Sequence, residues 1–380
     1  MSFPAELLRG AQEIEQTPRG LRPHRLPAAI RERFPEPQLL MVEQQPSGVR
    51  IATRTAARSI ELVVHTTRVA FRGVDRPRGF VDVTVDRARF ASVELAAGDA
   101  TIIDPATGQA ENVVGEPDVI RIERLPAGDN LVELWLPHNE SVELVDLRAD
   151  APLAPDTAPR RLWVHHGSSI SHGSNASSPT RIWPVIAAHR GDVELRSLGL
   201  GGSAMVDPFV ARLIAGNPAD LISVKLGINV INADAMRLRA FVPAVHGFLD
   251  TIRDGHPDTP LVLISPIFCA IHEDTPGPGA IDPAAFAEGR MSYLATGRSD
   301  DQQQGRLTLR VLRDALASLV ERRASDPNLH YLDGLRLYGQ DDATRHPLPD
   351  ALHPDTDTHR LIGERFAEFA FAGSGPFAAR

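Results

Sequence analysis

Cysteine and lysine are almost missing from this chain of 380 residues. Cys269 is the single cysteine, which excludes an intramolecular disulfide and leaves no thiolate cluster for a structural zinc site. Lys225 is the single lysine, so the other 39 of the 40 basic residues are arginine, a bias that reflects genome composition and not function. A surplus of positive charge is also lacking. The net charge of -9 argues against nucleic acid or an anionic membrane surface as the main partner. No stretch reaches the ~18 uninterrupted apolar residues of a spanning helix. Met1 to Arg9 contains no basic segment followed by a continuous apolar run, so it does not read as a secretory signal and a cytoplasmic protein is expected.

What remains is a composition that can fold unaided. Hydrophobic residues make up 42% and charged residues 23%, the balance of a soluble globular protein with sizeable cores. The length suggests about two domains, at ~100–200 residues each.

The hydrophobic period changes along the chain. Within residues 5–34, Leu7, Leu8, Ala11 and Ile14 stand at helical spacing, which predicts a short helix before Pro18, Pro23 and Pro27. From Ser47 to Arg148 short alternating runs follow, among them Ile60-Leu62-Val64, Phe80 to Val85 and Val119 to Ile122. Turn clusters separate them, such as Asp75-Arg76-Pro77-Arg78-Gly79 and Pro126-Ala127-Gly128-Asp129. This spacing predicts an antiparallel β-sandwich, so residues 1–150 are expected to form one domain, which could be of a carbohydrate-binding kind. Residues 151–160, with Pro152, Pro155 and Pro159, read as a linker.

Residues 161–380 show a different rhythm of strand, loop and helix. Strands are expected at Leu162–His166, Val193–Leu198, Leu221–Leu226, Leu261–Phe268 and His330–Leu332, with helices between them and a last helix at His359–Phe371. Alternation of this kind predicts a parallel sheet covered on both faces. A polar, Gly/Pro-rich insertion at 269–306 is too long for an ordinary connection. It is expected to line an acyl or acceptor pocket with Phe286, Met291, Tyr293 and Leu294.

Ligands of open α/β sheets bind at the C-terminal strand ends. There the sequence places Gly167-Ser168-Ser169-Ile170-Ser171, then Gly199-Leu200-Gly201-Gly202-Ser203, then Gly227-Ile228-Asn229. Near the C-terminus stands Asp350-Ala351-Leu352-His353-Pro354. A serine hydroxyl needs an imidazole to take its proton, and that imidazole needs a carboxylate to hold its tautomer. Loop amides and an asparagine amide can serve a developing oxyanion.

These four ordered blocks resemble the SGNH (GDSL-type) hydrolase superfamily over roughly residues 160 to 373, in the branch with an N-terminal β-sandwich. The resemblance implies a flavodoxin-like catalytic domain. It implies Ser169 as nucleophile, with Asp350 and His353 as its acid and base, and an oxyanion hole of Ser169, Gly202 and Asn229. It also implies a serine-dependent ester hydrolase or O-acyltransferase that works through a seryl ester on a small molecule such as a natural product. No cofactor is implied, although a transferase could draw its acyl group from a thioester such as acyl-CoA. Two positions depart from the family: Ser168 replaces the usual Asp before the nucleophile and Val230 the usual Asp after the asparagine. Ser168 is thereby a rival nucleophile.

Other readings are weaker. His165, His166 and His172 could suggest a metal site, but the first two are adjacent on a strand and point to opposite faces, and no acidic ligand motif accompanies them. His172 is a candidate substrate contact. Cys269 reads as a small buried hydrophobe, and Asp207 and Asp234 as helix-start acids. A carbohydrate-binding protein with a degenerate hydrolase domain is the alternative from another class, and the filled catalytic positions count against it.

Overall fold

The computed structural model describes residues 3–74, 76–104 and 107–378; Asp75, in one of the expected turns, lies outside them. The chain forms two compact units. The first runs to Pro159 and includes Ser177–Arg181, and the second comprises Arg160–Ala176 and the chain from Ile182 onward.

In the first unit two sheets face each other. One contains Leu8–Arg9, Arg50–Thr55, Asn130–Trp135, Phe80–Val85 and Ala88–Glu94. The other contains Glu13–Gln16, Leu21–His24, Glu140–Ala149, Ser59–Phe71, Asp99–Ile103 and Ala110–Val113, with Asp118–Glu123 paired to Ser59–Phe71. Alternate residues of both sheets, such as Ile51, Val83 and Leu134 against Leu62, Ile120 and Leu144, meet in one core. The pairing is antiparallel as expected, except that Ser59–Phe71 and Asp99–Ile103 run parallel.

The helix expected within 5–34 is not formed by its apolar residues. Ala5–Leu7 is a single 3-10 turn, Leu8–Arg9 and Glu13–Gln16 are strands, and helices appear only at Ala28–Arg33 and Pro37–Glu43. Gly10 sits at φ +86, and a Cβ there would meet the Gly48 carbonyl oxygen at 2.6 Å. Residues 13–16 pair with 21–24 as a hairpin, so β pairing overrides local helical spacing. Part of the expected linker is also sheet: Ala154–Pro155 pairs with Arg50–Thr55, and Thr53 Oγ1 donates to the Ala154 carbonyl at 3.0 Å. Proline is tolerated there because the strand lies off the main path of the sheet.

A buried carboxylate organises the far part of this unit. Asp82, with no exposed surface, accepts from Ser178 Oγ (2.6 Å), the Thr180 amide (3.0 Å), Thr180 Oγ1 and Ser92 Oγ.

The second unit is a five-stranded parallel sheet. Its strands are β1 (Leu162–Gly167), β2 (Glu194–Gly199), β3 (Leu221–Lys225), β4 (Leu261–Ile264) and β5 (Leu329–Leu332), in the order β2-β1-β3-β4-β5. This is the flavodoxin-like order. Among its helices are α1 (Ser169–His172), α2 (Trp183–Gly191), α3 (Pro208–Ala215), α4 (Ile228–Asn232), α5 (Leu238–Gly255), α6 (Leu309–Glu321) and α7 (Thr356–Phe371). Strands β3 and β4 are buried throughout, as expected when helices cover both faces. The insertion is ordered: Gly279–Ile281 pairs antiparallel with Tyr293–Ala295 around a turn of helix at Pro283–Ala287, whose start is capped by Asp282.

Candidate active site

The four sequence blocks occupy the C-terminal ends of the parallel strands and the loop before α7. Strand β1 ends at Gly167 and the chain turns at once into α1, so Ser169 is the first residue of a four-residue helix and its amide needs no intrahelical partner. This turn depends on a close approach. A Cβ on Gly199 would lie 2.5 Å from the His172 amide nitrogen, so the end of β2 can hold α1 only with glycine there. Strand β3 leads through Gly227, at φ +127, into α4; a Cβ at Gly227 would also strike Leu312 at 2.6 Å.

Ser169, Asp350 and His353 form a continuous hydrogen-bonded relay. Ser169 Oγ stands 2.9 Å from His353 Nε2, and His353 Nδ1 stands 2.7 Å from Asp350 Oδ2. Asp350 is held from several sides. Its Oδ1 accepts from the backbone amides of His353 (2.6 Å) and Leu352 (3.0 Å), and its Oδ2 also accepts from Asn175 Nδ2 (2.9 Å). The tight turn puts Ala351 at φ +66. Burial works to raise the Asp350 pKa, but the hydrogen bond and charge of His353, with the two amides, outweigh it and hold the carboxyl below its ordinary value. The carboxylate therefore stays charged and keeps a proton on His353 Nδ1, leaving Nε2 to accept from Ser169. Chemically, this arrangement can deprotonate a serine hydroxyl as it attacks a carbonyl.

The remaining expected residues fall around it. Asn229, in α4, is buried, and its Oδ1 accepts from the Ala204 amide at 3.1 Å, which orients the Nδ2 donor. Gly202 is the exposed residue of an otherwise buried turn after β2, at φ +74. The rival Ser168 is only 1% exposed, and its Oγ is buried without a hydrogen-bond partner, whereas Ser169 is partly exposed. His172 is turned into the protein, with Nδ1 3.1 Å from the Gly199 carbonyl. Asp207 caps α3 by position but uses its carboxylate on the Met205 amide, and Asp234 pairs with Arg237.

Two contacts were not legible as such. Asn175 sits at φ +65 in the turn after α1, where an asparagine that tolerates the left-handed region was the only signal. Tyr293, singled out in the insertion as a pocket residue, stands edge-on to the His353 ring, centroids 5.5 Å apart, and its amide donates to the Asp350 carbonyl at 3.0 Å.

Beneath the site, Lys225 closes β3 fully buried, and burial pushes its ammonium down to about 8. It lines a small cavity with Ile170, Ile228, Cys269 and Leu352, the first, second and fourth of these adjoining Ser169, Asn229 and His353 in the chain. Cys269 is buried with its thiol pushed up to about 12, also by burial, which removes the thiolate a nucleophile needs.

Residues 166–361, just over half of the chain, match the family described as GDSL-like lipase/acylhydrolase. Among solved structures, a salicylyl-acyltransferase named SsfX3, from a tetracycline biosynthetic pathway, is similar at 28% identity and a TM-score of 0.77, over 94% of this chain and 92% of that one. A protein described as a GDSL-like lipase, from Bacteroides ovatus ATCC 8483, shares the fold at 20% identity and a TM-score of 0.67, over 95% and 93% of the two chains. A family two carbohydrate esterase from Clostridium thermocellum, in complex with cellohexaose, shares it at 14% identity and 0.55, over 84% and 91%. No curated protein sequence matches the chain.

Proposed function

The chain belongs to the GDSL-like lipase/acylhydrolase family and is an SGNH-type serine esterase or acyltransferase, and we propose that it transfers a carboxylic acyl group through a seryl ester at Ser169 to a hydroxyl of a small molecule. The observation that carries this reading is the relay Ser169–His353–Asp350 with its 2.9 and 2.7 Å links. As Ser169 Oγ attacks the acyl carbonyl, its proton passes to His353 Nε2, and Asp350 stabilises the imidazolium through Nδ1. The Ser169 and Gly202 amides and Asn229 Nδ2 are the donors for the oxyanion. Collapse breaks the bond to the leaving oxygen or sulfur, which takes the proton from His353. An acceptor hydroxyl then gives its proton to the same nitrogen, attacks the seryl ester and frees Ser169; when water takes the acceptor's place, the outcome is hydrolysis. The insertion, through Tyr293, is assigned to the wall of the acyl or acceptor pocket.

Transfer is favoured over hydrolysis because the likeness to the salicylyl-acyltransferase, at 28% identity and a TM-score of 0.77, is stronger than that to the GDSL-like lipase or to the carbohydrate esterase. No cofactor enters this chemistry; the acyl donor is an ester or thioester. A fluorophosphonate probe should label Ser169 and leave Ser169→Ala unlabelled. Chromogenic acyl esters with and without added alcohols then separate the two outcomes: acylated alcohol is the expected main product, and release of free acid alone at saturating alcohol would make the enzyme a hydrolase. Absence of any labelling and turnover would overturn the reading and favour a binding protein, and full turnover by Ser169→Ala would assign the nucleophile to another residue.

A further inference from the structure

Directly behind the nucleophile turn lies a second serine–histidine cluster that this chemistry does not use. His165, on β1 and with no exposed surface, has Nδ1 2.7 Å from Ser223 Oγ and Nε2 2.8 Å from Ser171 Oγ. Ser223 is its register partner on β3, and the Ser223 Oγ also accepts from Trp163 Nε1 at 2.9 Å. The ring meets Trp183 edge-on with centroids 4.6 Å apart. A Cβ at Gly167 would come within 2.3 Å of Ser171 Oγ, so the strand and α1 are in contact without room for a side chain between them.

We propose that His165 is a positioning residue for Ser169: by holding Ser171 it fixes the α1 turn and aims the Ser169 hydroxyl at His353. The proposal rests on Ser169 being the nucleophile. A four-residue helix cannot hold its own geometry, since its nucleation cost exceeds what so few backbone bonds return. The backbone bonds that hold α1 include those to the Ser168 carbonyl, which accepts from the Ser171 and His172 amides, and to the Ser169 carbonyl, which accepts from Gly173 and Ser174, and His172 Nδ1 meets the Gly199 carbonyl of β2. The tie from Ser171 to His165 pins the turn sideways to β1. The tie from His165 to Ser223 pins it to β3, the strand that leads into Asn229. One imidazole thus links the strand ends that carry the nucleophile and a candidate oxyanion donor.

The chemistry suits that task. Burial, with the charges of His166 and Lys225 adding to it, keeps the His165 pKa well below the ordinary histidine value, so the ring stays neutral with one donor and one acceptor nitrogen. Serine hydroxyls on either side can take whichever role each nitrogen leaves. Because the ring is sealed from solvent, it has no route to substrate and reaches the α1 turn only through Ser171, with Ser223 anchoring its other nitrogen.

The test uses His165→Phe, which keeps the ring against Trp183 but removes both nitrogens, His165→Gln, which restores a polar group toward Ser171, and Ser171→Ala. Each is measured on a chromogenic ester and by the rate of fluorophosphonate labelling of Ser169. A reacting atom displaced by about 1 Å can cost on the order of 100-fold. His165→Phe should therefore lower kcat and the labelling rate by roughly 10- to 100-fold with KM within about twofold, and His165→Gln should recover part of the loss. In the His165→Phe/Ser171→Ala double variant the two losses should not multiply, because both cut the same tie. If His165→Phe fails to fold, Ser171→Ala, which removes only a hydroxyl, still decides. A Ser171→Ala enzyme with wild-type kcat, or losses that multiply in the double variant, would overturn the proposal. Turnover by Ser169→Ala would instead remove the nucleophile assignment on which it stands.

Discussion

In an Asp350→Asn variant the new side chain keeps the size and the carbonyl oxygen of the old one but puts an NH2 where a carboxylate oxygen was. Asp350 now accepts four bonds: two backbone amides at Oδ1, and Asn175 Nδ2 and His353 Nδ1 at Oδ2. An asparagine that keeps the two amides must direct its own NH2 at two donors. Flipping it only exchanges one pair of conflicts for the other. To regain a bond, His353 must become the Nδ1-acceptor tautomer, which puts a proton on Nε2 facing Ser169 and ends its service as base. Such a tautomer error costs on the order of 10⁴ in kcat in serine hydrolases. The donor facing Asn175 adds a loss of roughly 1–3 kcal/mol in stability. Steady-state kinetics should show the kcat loss with KM almost unchanged, since Asp350 is removed from the ester by the width of an imidazole. Acid unfolding gives a second reading. A carboxyl whose folded pKa is depressed contributes stability that is fully present above the ordinary carboxylate value and is lost as pH falls through the folded value. The wild type should thus lose a part of its stability below the usual carboxylate range that Asp350→Asn does not. A variant retaining kcat within tenfold of the wild type would refute the relay.

Ser168→Ala should keep nearly full activity and raise the thermal midpoint slightly, because the hydroxyl it removes is buried and unpartnered; loss of turnover there would move the nucleophile by one residue. Asn229→Ala should lower kcat by about 10²–10³-fold with little change in KM, and an effect confined to KM would make it a ground-state contact. Lys225→Met should stabilise the protein near pH 7 by up to ~3 kcal/mol in urea unfolding, since the cost of burying the ammonium, which pushes it down to about 8, disappears. The folded lysine loses its proton near 8 and the unfolded one near ~10.4, so wild-type stability rises through that window and the advantage of the variant should vanish above it. A difference that does not vary with pH would show that Lys225 is not buried as a cation.

The parallel sheet was legible because its central strands β3 and β4 are short apolar runs buried on both faces, and each strand, the partly exposed edge strands β2 and β5 included, is ended by glycine or a polar loop. The site was legible for the same reason: its blocks are what those strands run into. The N-terminal strands were not, because Leu7, Leu8 and Ile14 fit a helix and a sheet equally, and Gly48 and the 21–24 strand decide between them from far along the chain. Helix α4 was missed as five residues inside a glycine turn. Nor could spacing reveal that the insertion folds as a hairpin, or that Tyr293 turns to His353, since residue type gives the chemistry of a contact but not its partner.

The two departures from the family pattern can be followed to their effects. Where relatives carry an aspartate before the nucleophile, Ser168 contributes its carbonyl, which accepts the Ser171 and His172 amides, and its side chain has no hydrogen-bond partner among the described residues. A backbone carbonyl serves in the same way whatever side chain follows it, so the turn loses a brace without losing its shape. The lateral tie from Ser171 to His165 also holds that turn. At Val230 the case is similar: the side chain is fully buried, while the neighbouring Asn229 is oriented from elsewhere, by the Ala204 amide at the end of the second block. Each reacting group therefore has a support that does not pass through either altered position, and a site with Gly-Ser-Ser in place of the usual first block can keep the geometry that acyl transfer requires.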